Sequence, residues 1–501
     1  MSEDGDQGPP ARRAAHAVRD HAEAILIALV MALVLKQFCV EAFTIPTSSM
    51  HPTLIGENQA PDGVGDRILV DKFANWLRDP RRWEIWVFRF PLDRSRNFIK
   101  RVVGLPGDHL KIGSEDGDIW VAKSADAPYE IARKPRRVRE SLYRPVYPPD
   151  AAGERDKEMS FDGGSEGLGI ASRWFRVEGD APDAFRLDAL DRFEYRGGTT
   201  ATLVARNPIL TSTDPDTWNQ SWRNGTPARD IRVRARLVPT QDRESTVPPS
   251  EVRIAWRPDG YYEYRLTLGS TPGSSTARIL VEDAVLREVR LDAVWDGRHA
   301  RTVELEAVDG DLRVHVDGRE LAVLPDGRPF RRRHAQVAQR LAIQATGTPF
   351  ALAGLHIDRD IAYQSSWSPR GSGAEDGVAL PAGQYLMIGD NQGDVGNRSE
   401  GSYDGRKWEL TTVTLRDGTV IRYDENKPLD REGDPETGET WYVVSDADGV
   451  ERRWRPQDED PDVPETTDWT PFVGRELFVG RAFLVFWPAW PDPPGRFRRV
   501  R

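Results

Sequence analysis

The sequence has few of the residues that support disulfide or metal chemistry. Its 501 residues include one cysteine, Cys39, which excludes an internal disulfide and a cysteine-based zinc site. The eight histidines form no His-Glu-x-x-His motif. We therefore predict no metal site and no cofactor.

Positive charge is also in deficit. Lys and Arg number 69 against 80 Asp and Glu, which gives a formal net charge of −11. No stretch interleaves basic and aromatic residues densely. This composition does not suit a protein that binds phosphate backbones, so we predict no nucleic-acid partner.

Long apolar runs are absent apart from one near the N-terminus. Residues 24–35 contain no charge, and the apolar character continues to about residue 43. A helix needs about 20 residues to cross the hydrocarbon core of a bilayer. Residues 22–45 reach that length if the polar residues near their end lie at the far interface. The run therefore predicts a transmembrane helix over 22–45, after a polar cytoplasmic tail over 1–21.

The distribution of basic residues predicts the orientation of this helix. Arg12, Arg13 and Arg19 precede the run, and no basic residue occurs between Lys36 and Arg67. The positive-inside rule then places the N-terminus in the cytoplasm. We expect a single-pass protein of the cell (inner) membrane, with the lipid bilayer as a partner and the rest of the chain on the extracytoplasmic side.

Two other interpretations of the apolar run remain open. It could form a buried amphipathic helix of a globular domain, or it could belong to a cleaved signal peptide. The signal peptide fits less well because no Ala-x-Ala cleavage site follows the run.

The rest of the chain has the pattern of β-strands. Short apolar runs separated by Gly, Pro and Asp occur at 67–70, 83–90, 97–103 and 118–122. Between about 200 and 365, apolar and polar residues alternate on both sides of Asp-Gly turns such as Asp309-Gly310. We predict a mostly β protein that contains a separate antiparallel β-sandwich, jelly-roll-like in its pattern.

Two residues could carry nucleophilic chemistry. Ser49 follows Ser48 in a segment bracketed by Pro46 and Pro52, and Lys100 lies in an apolar strand. The serine could be an ordinary turn residue, and the lysine could extend to solvent. Alternatively, a desolvated and neutral lysine amine is the base that a serine needs where no histidine is available.

Several segments resemble, in order, the motifs of the bacterial type I signal peptidases. These are membrane serine peptidases of the S26 type that use a Ser/Lys dyad. The segments are Ile-Pro-Thr-Ser-Ser-Met-His-Pro-Thr-Leu (45–54), Ile-Lys-Arg-Val-Val-Gly-Leu-Pro-Gly-Asp (99–108), Met-Ile-Gly-Asp-Asn (387–391) and Val-Gly-Arg-Ala-Phe-Leu-Val-Phe-Trp-Pro (479–488).

The resemblance implies roles for individual residues. Ser49, directly before Met50, would be the nucleophile, and Lys100 would be the general base. The hydroxyl of Thr47 would stabilise the oxyanion beside the Ser49 N–H.

The same resemblance implies a group of supporting residues. Ser402, in Ser-Tyr-Asp-Gly-Arg, would orient the lysine, although its distance from Asn391 is longer than usual and Ser399 is an alternative. Asp390, Asp404 and Arg406 would support the structure.

The resemblance also implies a domain organisation, because two long segments of different pattern interrupt the motifs. The expected divisions are catalytic core at 46–123, inserted sandwich with linkers at 124–375, catalytic core at 376–408, a second insertion at 409–470, the last core strand at 471–490 and a basic tail at 491–501.

The implied function is removal of N-terminal signal peptides from exported preproteins, which would be the protein substrates. The partner of the inserted sandwich is unknown. Two alternatives remain: a Ser/His pair that uses His51, and a membrane-tethered β-sandwich binding protein whose peptidase core is a relic. Intact Ser49 and Lys100 count against the relic.

Overall fold

The computed structural model of the protein describes residues 10–58, 63–113, 117–147, 174–179, 182–189, 192–206, 209, 228–240, 251–258, 262–271, 274–291, 299–325, 339–363, 377–391, 408–425, 427, 429–433, 438–487 and 498–500. Within these ranges the fold is mostly β, as the sequence predicts.

The N-terminal helix begins and ends earlier in the sequence than predicted. Helix α1 (Pro10–Val34) is followed by a π-helical turn, Leu35–Cys39, and then by strand β1 (Val40–Thr44). The predicted helix end at residue 45 is therefore wrong. The physical reason is that β1 pairs antiparallel with β2 (Arg67–Asp71), which gives its backbone groups partners outside the helix.

Helix α1 leaves its apolar side chains exposed. Ile25, Ile27 and Met31 are 69%, 64% and 58% exposed, respectively. Across the part of the chain that the structure describes, no helix combines the length and the mean hydropathy required to cross a membrane.

The remaining elements up to residue 131 are mainly strands. Helix α2 spans Phe73–Leu77. The strands that follow β2 are β3 (Ile85–Phe90), β4 (Asp93–Gly104), β5 (His109–Ile112), β6 (Ile119–Ala122) and β7 (Glu130–Ile131). The predicted strands at 67–70, 83–90, 97–103 and 118–122 are thus confirmed to within a few residues.

Helix α3 (Arg136–Leu142) leads into the inserted region. The strands of that region are β8 (Arg144–Tyr147), β9 (Phe175–Glu178), β10 (Phe185–Ala189), β11 (Arg192–Tyr195), β12 (Ala201–Ala205), β13 (Ile231–Pro239), β14 (Glu251–Arg257), β15 (Tyr264–Thr271), β16 (Ser274–Val281), β17 (Ala284–Arg290), β18 (Arg301–Val308), β19 (Asp311–Val316), β20 (Arg319–Pro325), β21 (Arg340–Thr346) and β22 (Phe350–Arg359).

The last third of the chain adds further strands. They are β23 (Val378–Ala379), β24 (Gln384–Ile388), β25 (Glu409–Thr414), β26 (Val420–Asp424), β27 (Asp430–Gly433), β28 (Thr440–Ser445), β29 (Glu451–Trp454), β30 (Thr466–Trp469), β31 (Phe472–Gly474), β32 (Phe478–Trp487) and β33 (Arg498–Arg499).

One sheet, here called the large sheet, collects strands from both ends of the chain. Its order is β1-β2-β32-β3-β4-β24-β31, with β33 paired to β32. The late strand β32 lies between β2 and β3, and β24 pairs antiparallel with β4. The segments that surround the two inserted regions therefore form one structure.

The inserted region forms two antiparallel sheets with a common core. One sheet has the order β10-β11-β22-β13-β18-β19-β20, with β8 beside β22, and the other has the order β17-β16-β15-β14-β21-β12-β9. Alternate residues of both sheets, such as Val233, Leu237, Ile254, Trp256 and Ile343, are buried between them. This sandwich arises because each strand presents its apolar residues to one face.

The segment before the sandwich is not a simple connection. Val138 and Leu142 of α3 pack in one buried cluster with Leu110 and Ile112 of β5. Helix α3, which lies within the region expected to hold the sandwich and its linkers, therefore contributes to the core beside the large sheet. The second insertion forms two further sheets, β26-β25-β30 and β27-β28-β29.

Because the sandwich has its own core, loss of a central side chain should destabilise it. We expect Trp256→Ala to lower the free energy of unfolding by about 3–5 kcal/mol, the usual cost of removing a buried aromatic ring. Urea unfolding followed by circular dichroism measures the change. Val285→Ala, at a 52% exposed position of the same sandwich, is the control and should change stability by less than about 0.5 kcal/mol. Equal effects of the two substitutions would contradict this description of the core.

Candidate active site

Ser49 lies on a short 3₁₀ helix, Ser48–Met50, which we call the serine turn. All three of its residues are buried. Asn391, which follows the inserted region in the sequence, holds this turn through two hydrogen bonds. Its main-chain N–H donates to the Ser49 carbonyl at 3.1 Å, and its side-chain amide donates to the Ser48 carbonyl at 3.0 Å. The motif that contains Asn391 thus fixes the backbone that carries Ser49.

Lys100 lies within β4, opposite Trp86 of β3. The lysine is 3% exposed, although a strand lysine commonly extends to solvent. Its neighbour Arg101 is fully buried as well. Since successive side chains of a strand point to opposite faces, Lys100 and Arg101 reach two different buried environments.

Gly389 is the point where the serine turn and the lysine approach each other. A Cβ atom built on Gly389 would lie 2.5 Å from the Ser49 carbonyl oxygen and 3.1 Å from Lys100 Nζ. Any side chain here would collide with the serine turn, so glycine is required by the close approach. The structure thus brings Ser49 and Lys100, which are far apart in sequence, to the same glycine.

Arg101 forms a buried ion pair with Asp390. Its Nε and Nη2 donate to the two carboxylate oxygens, both at 2.7 Å, and neither side chain is exposed. Nη1 donates to the Trp83 carbonyl at 2.6 Å, and the Thr53 hydroxyl donates to the same carboxylate. Burial lowers the pKa of Arg101, but the charge and hydrogen bonds of Asp390 more than offset this, so the pKa lies above its ordinary value.

Thr47 lies beside the candidate nucleophile. Its hydroxyl donates to Ser49 Oγ across 3.4 Å. The structure therefore places Thr47, Ser49, Lys100 and Asp390 in one region. Ser402, Asp404 and Arg406, together with the alternative Ser399, lie outside the described residues, and their roles stay predictions.

Three residues of this region had no assigned role in the sequence: Thr53, Arg101 and Asn391. Arg101 and Asn391 lie within the recognised motifs, next to Lys100 and Asp390. A usable signal was the arginine in an apolar strand, because a buried guanidinium requires a carboxylate partner.

His51 is engaged with the inserted region. Arg144, the first residue of β8, donates from Nη2 to the His51 carbonyl at 2.7 Å, and its Nη1 contacts the imidazole Nδ1. The ring nitrogen next to the serine turn is thus occupied by a guanidinium. This arrangement does not resemble a Ser/His pair.

A cavity of about 1020 Å³ opens at another place on the large sheet. Its lining includes Trp83, Ile85, Val138, Leu484 and Arg498, and neither Ser49 nor Lys100 belongs to it. We therefore assign the candidate site from side-chain chemistry rather than from cavity size.

Comparison with known proteins adds a family to this geometry. Residues 18–160 match the sequence model of a family described as signal peptidase, peptidase S26. Signal peptidase I of Pseudomonas fluorescens is 44% identical over 99 residues, which are 17% of this chain and 32% of the relative. The probable signal peptidase I-2 of Synechocystis sp. is 38% identical over 133 residues, 25% of this chain and 54% of the relative.

A signal peptidase I of Bacillus amyloliquefaciens is similar over a larger share of its own length. It is 28% identical over 140 residues, 27% of this chain and 69% of the relative. By contrast, the chain spans about a third of the length of the Pseudomonas relative. The region that the family model matches, residues 18–160, belongs to the signal peptidase family, peptidase S26.

Solved structures resemble a larger share of the chain, but only weakly. A β-glucanase of Bacillus licheniformis aligns with 40% of this chain and 90% of its own, at 10% identity and a TM-score of 0.25. A winged bean acidic lectin aligns with 37% of this chain and 92% of its own, at 8% identity and a TM-score of 0.26. These scores carry no argument about function.

The Arg101–Asp390 pair should matter for stability because both charges are buried. We expect Asp390→Ala to lower the free energy of unfolding by about 3–5 kcal/mol, since it leaves a buried guanidinium without its carboxylate. The matched control is Asp448→Ala, which breaks an exposed ion pair with Arg94 and should cost less than about 1 kcal/mol. Chemical denaturation measures both. Similar losses of stability from both variants would show that the buried ion pair stabilises the protein no more than the exposed one does.

Proposed function

We propose that the protein is a signal peptidase I, a membrane-anchored serine endopeptidase that removes signal peptides from exported preproteins. The observation that carries the proposal is the meeting of Ser49 and Lys100 at Gly389, in a region similar to curated signal peptidases. Ser49 is the nucleophile, and Lys100 is the general base.

The proposed reaction begins with proton transfer from Ser49 Oγ to the neutral Lys100 amine as Oγ attacks the scissile carbonyl carbon. Burial of Lys100 suits this role because desolvation disfavours the charged ammonium. The tetrahedral intermediate then expels the amine of the mature protein, which takes the proton from Lys100. A water molecule, deprotonated by Lys100, afterwards hydrolyses the acyl-enzyme and restores Ser49.

The oxyanion of the intermediate requires fixed hydrogen-bond donors. The Ser49 main-chain N–H is one, and the Thr47 hydroxyl is the other after it rotates away from Ser49 Oγ. Asn391 and the Arg101–Asp390 pair are positioning groups, because they hold the serine turn and the strand beside it.

Membrane anchoring is part of the proposal. It is supported by the exposed apolar side chains of α1. A second support is the group of exposed aromatic residues Phe38, Phe73 and Trp76, in which the ring centroid of Trp76 lies 5.8 Å from that of Phe38 and 6.4 Å from that of Phe73. Aromatic side chains of this kind concentrate at membrane interfaces. We propose that α1 enters the bilayer with its N-terminus in the cytoplasm and that the large sheet lies on the extracytoplasmic side.

Substitution of the two central residues tests the mechanism. We expect Ser49→Ala, Lys100→Ala and Lys100→Arg each to reduce cleavage of a signal-bearing precursor by at least about a thousandfold, because nucleophile and base act as a unit and a guanidinium does not deprotonate. The control is Lys111→Ala, at a strand lysine that stacks over Tyr129, and it should retain activity. Activity in Lys100→Ala combined with its loss in His51→Ala would favour the Ser/His alternative.

Protease treatment of intact spheroplasts tests the orientation. The N-terminal tail should be protected and the region after residue 44 should be digested, because the positive-inside rule retains the arginine-rich end in the cytoplasm. Epitope tags at either end, followed by immunoblotting before and after lysis, report both regions. Protection of the C-terminal tag in intact spheroplasts would reverse the proposed orientation.

A further inference from the structure

The cavity of about 1020 Å³ on the large sheet combines an apolar lining with a group of arginines. Ile85, Val138 and Val500 contribute buried apolar side chains to the lining, and Leu484 is half-buried there. The six arginines of the lining are Arg81, Arg82, Arg137, Arg481, Arg498 and Arg499. We call this feature the arginine cavity. Apolar walls with a few convergent polar groups are typical of a ligand pocket.

The positive charge of the arginine cavity is only partly compensated by carboxylates of the chain. The pairs, measured from guanidinium nitrogen to carboxylate oxygen, are Arg82 with Asp108 at 2.7 Å, Arg498 with Asp66 at 3.3 Å and Arg481 with Glu84 at 3.7 Å. Glu84 is the one acidic residue in the described lining, and it makes a shorter contact, at 2.7 Å, with Arg78. The lining therefore carries more positive than negative charge.

The other three arginines, Arg81, Arg137 and Arg499, are exposed. Their side chains make no hydrogen bond and no ion pair with any residue that the structure describes. They come from three separate segments, namely the loop before β3, helix α3 and strand β33. Guanidinium groups that converge in this way can bind an anionic group through several charge-assisted hydrogen bonds. The occupant that fits the arginine cavity is therefore anionic at one end and apolar at the other.

The arginine cavity lies at the end of the large sheet where the chain leaves the proposed membrane helix. Val40, the first residue of β1, pairs with Asp71 of β2, and Asp71 pairs with Arg481 of β32. Neighbouring strands are about 4.8 Å apart, so the Arg481 backbone lies about 10 Å across the sheet from the start of β1. Arg81 follows α2, which carries the exposed Trp76. The cavity is thus close to the level at which we place the bilayer surface.

We propose that the arginine cavity binds an anionic phospholipid of the surrounding bilayer. Arg81, Arg137 and Arg499 bind the phosphate group, and part of an acyl chain packs against the apolar lining. The volume is sufficient for this occupant, because pockets for small molecules commonly measure about 300–1,000 Å³. The choice of a lipid over another anionic amphiphile rests on the proposed membrane anchoring of α1. It does not rest on the peptidase activity of Ser49.

Lipid binding to the full-length protein in dodecyl maltoside micelles tests the site. The probe is dioctanoyl phosphatidylglycerol, and isothermal titration calorimetry measures its affinity. We expect saturable binding that is at least about tenfold tighter than that of dioctanoyl phosphatidylcholine, whose headgroup has no net charge. Glycerol phosphate should also bind at least about tenfold more weakly, because it has no acyl chain to cover the apolar lining.

Two double variants locate the lipid. Arg81→Gln combined with Arg137→Gln should weaken phosphatidylglycerol binding at least about tenfold, because it removes two charged donors. The matched control combines Arg287→Gln with Arg290→Gln, which removes two exposed arginines of the sandwich strand β17. It lowers the net charge equally and should leave the affinity within about twofold of the unmodified chain. All four side chains are exposed, so both double variants are expected to fold.

A change in the apolar lining tests the acyl-chain contact separately. Leu484→Gln should weaken binding of phosphatidylglycerol at least about fivefold, because a polar side chain replaces part of the apolar surface. The same variant should leave the affinity for glycerol phosphate unchanged within about twofold. An equal effect on both probes would contradict a lipid occupant.

Several outcomes overturn the proposal. They are equal weakening by the two double variants, equal affinities for the two phospholipids, glycerol phosphate that binds as tightly as phosphatidylglycerol, and a hexaglutamate peptide that binds more tightly than the lipid. The third outcome would assign the cavity to a soluble phosphate compound, and the fourth to an acidic peptide. Because lipid binding is measured directly, a chain that binds phosphatidylglycerol without cleaving a precursor would retain this site and lose only the proposed peptidase function.

Discussion

The buried ion pair between Arg101 and Asp390 is the contact on which the geometry of the candidate site depends. The two residues are 289 positions apart, and the whole sandwich lies between them in sequence. Because a buried guanidinium without its carboxylate is strongly unfavourable, the pair requires β4 and the end of β24 to meet in the folded state. The sheet pairing of these strands and the ion pair reinforce each other.

The pair also orients the groups that would perform the chemistry. Strand alternation means that, once Arg101 points to Asp390, Lys100 must point to the opposite face of β4. The other member of the pair, Asp390, lies in sequence between Gly389 and Asn391. The lysine amine lies next to Gly389, and Asn391 holds the serine turn through two hydrogen bonds. One electrostatic contact thus sets the position of both candidate reacting residues.

Much of this could be predicted from the sequence, for different reasons in different places. Alternation around Asp-Gly turns was enough for the sandwich, because a strand with one apolar face has to bury it. The motifs were enough to bring together Ser49, Lys100 and Asp390. The end of the N-terminal helix was not predictable, because residues 40–44 are as apolar as a helix end would be and their pairing with β2 is a long-range contact. The role of α3 was missed for a different reason: its many charged residues hide the burial of Val138 and Leu142.

The position of the sandwich makes it a structural part of the site. At its entry, Arg144 donates to the His51 carbonyl, directly after the serine turn. At its exit, the Tyr363 ring stacks on Trp83 with centroids 6.3 Å apart, and the Trp83 carbonyl is an acceptor of Arg101. Because the sandwich is held at both ends in this way, a shift of it would move either the serine turn or the partner of the buried arginine. The large sheet can therefore contain a long insert and still hold the candidate site in place. Both ends of the insert contact residues next to the site, through Arg144 at the entry and Tyr363 at the exit.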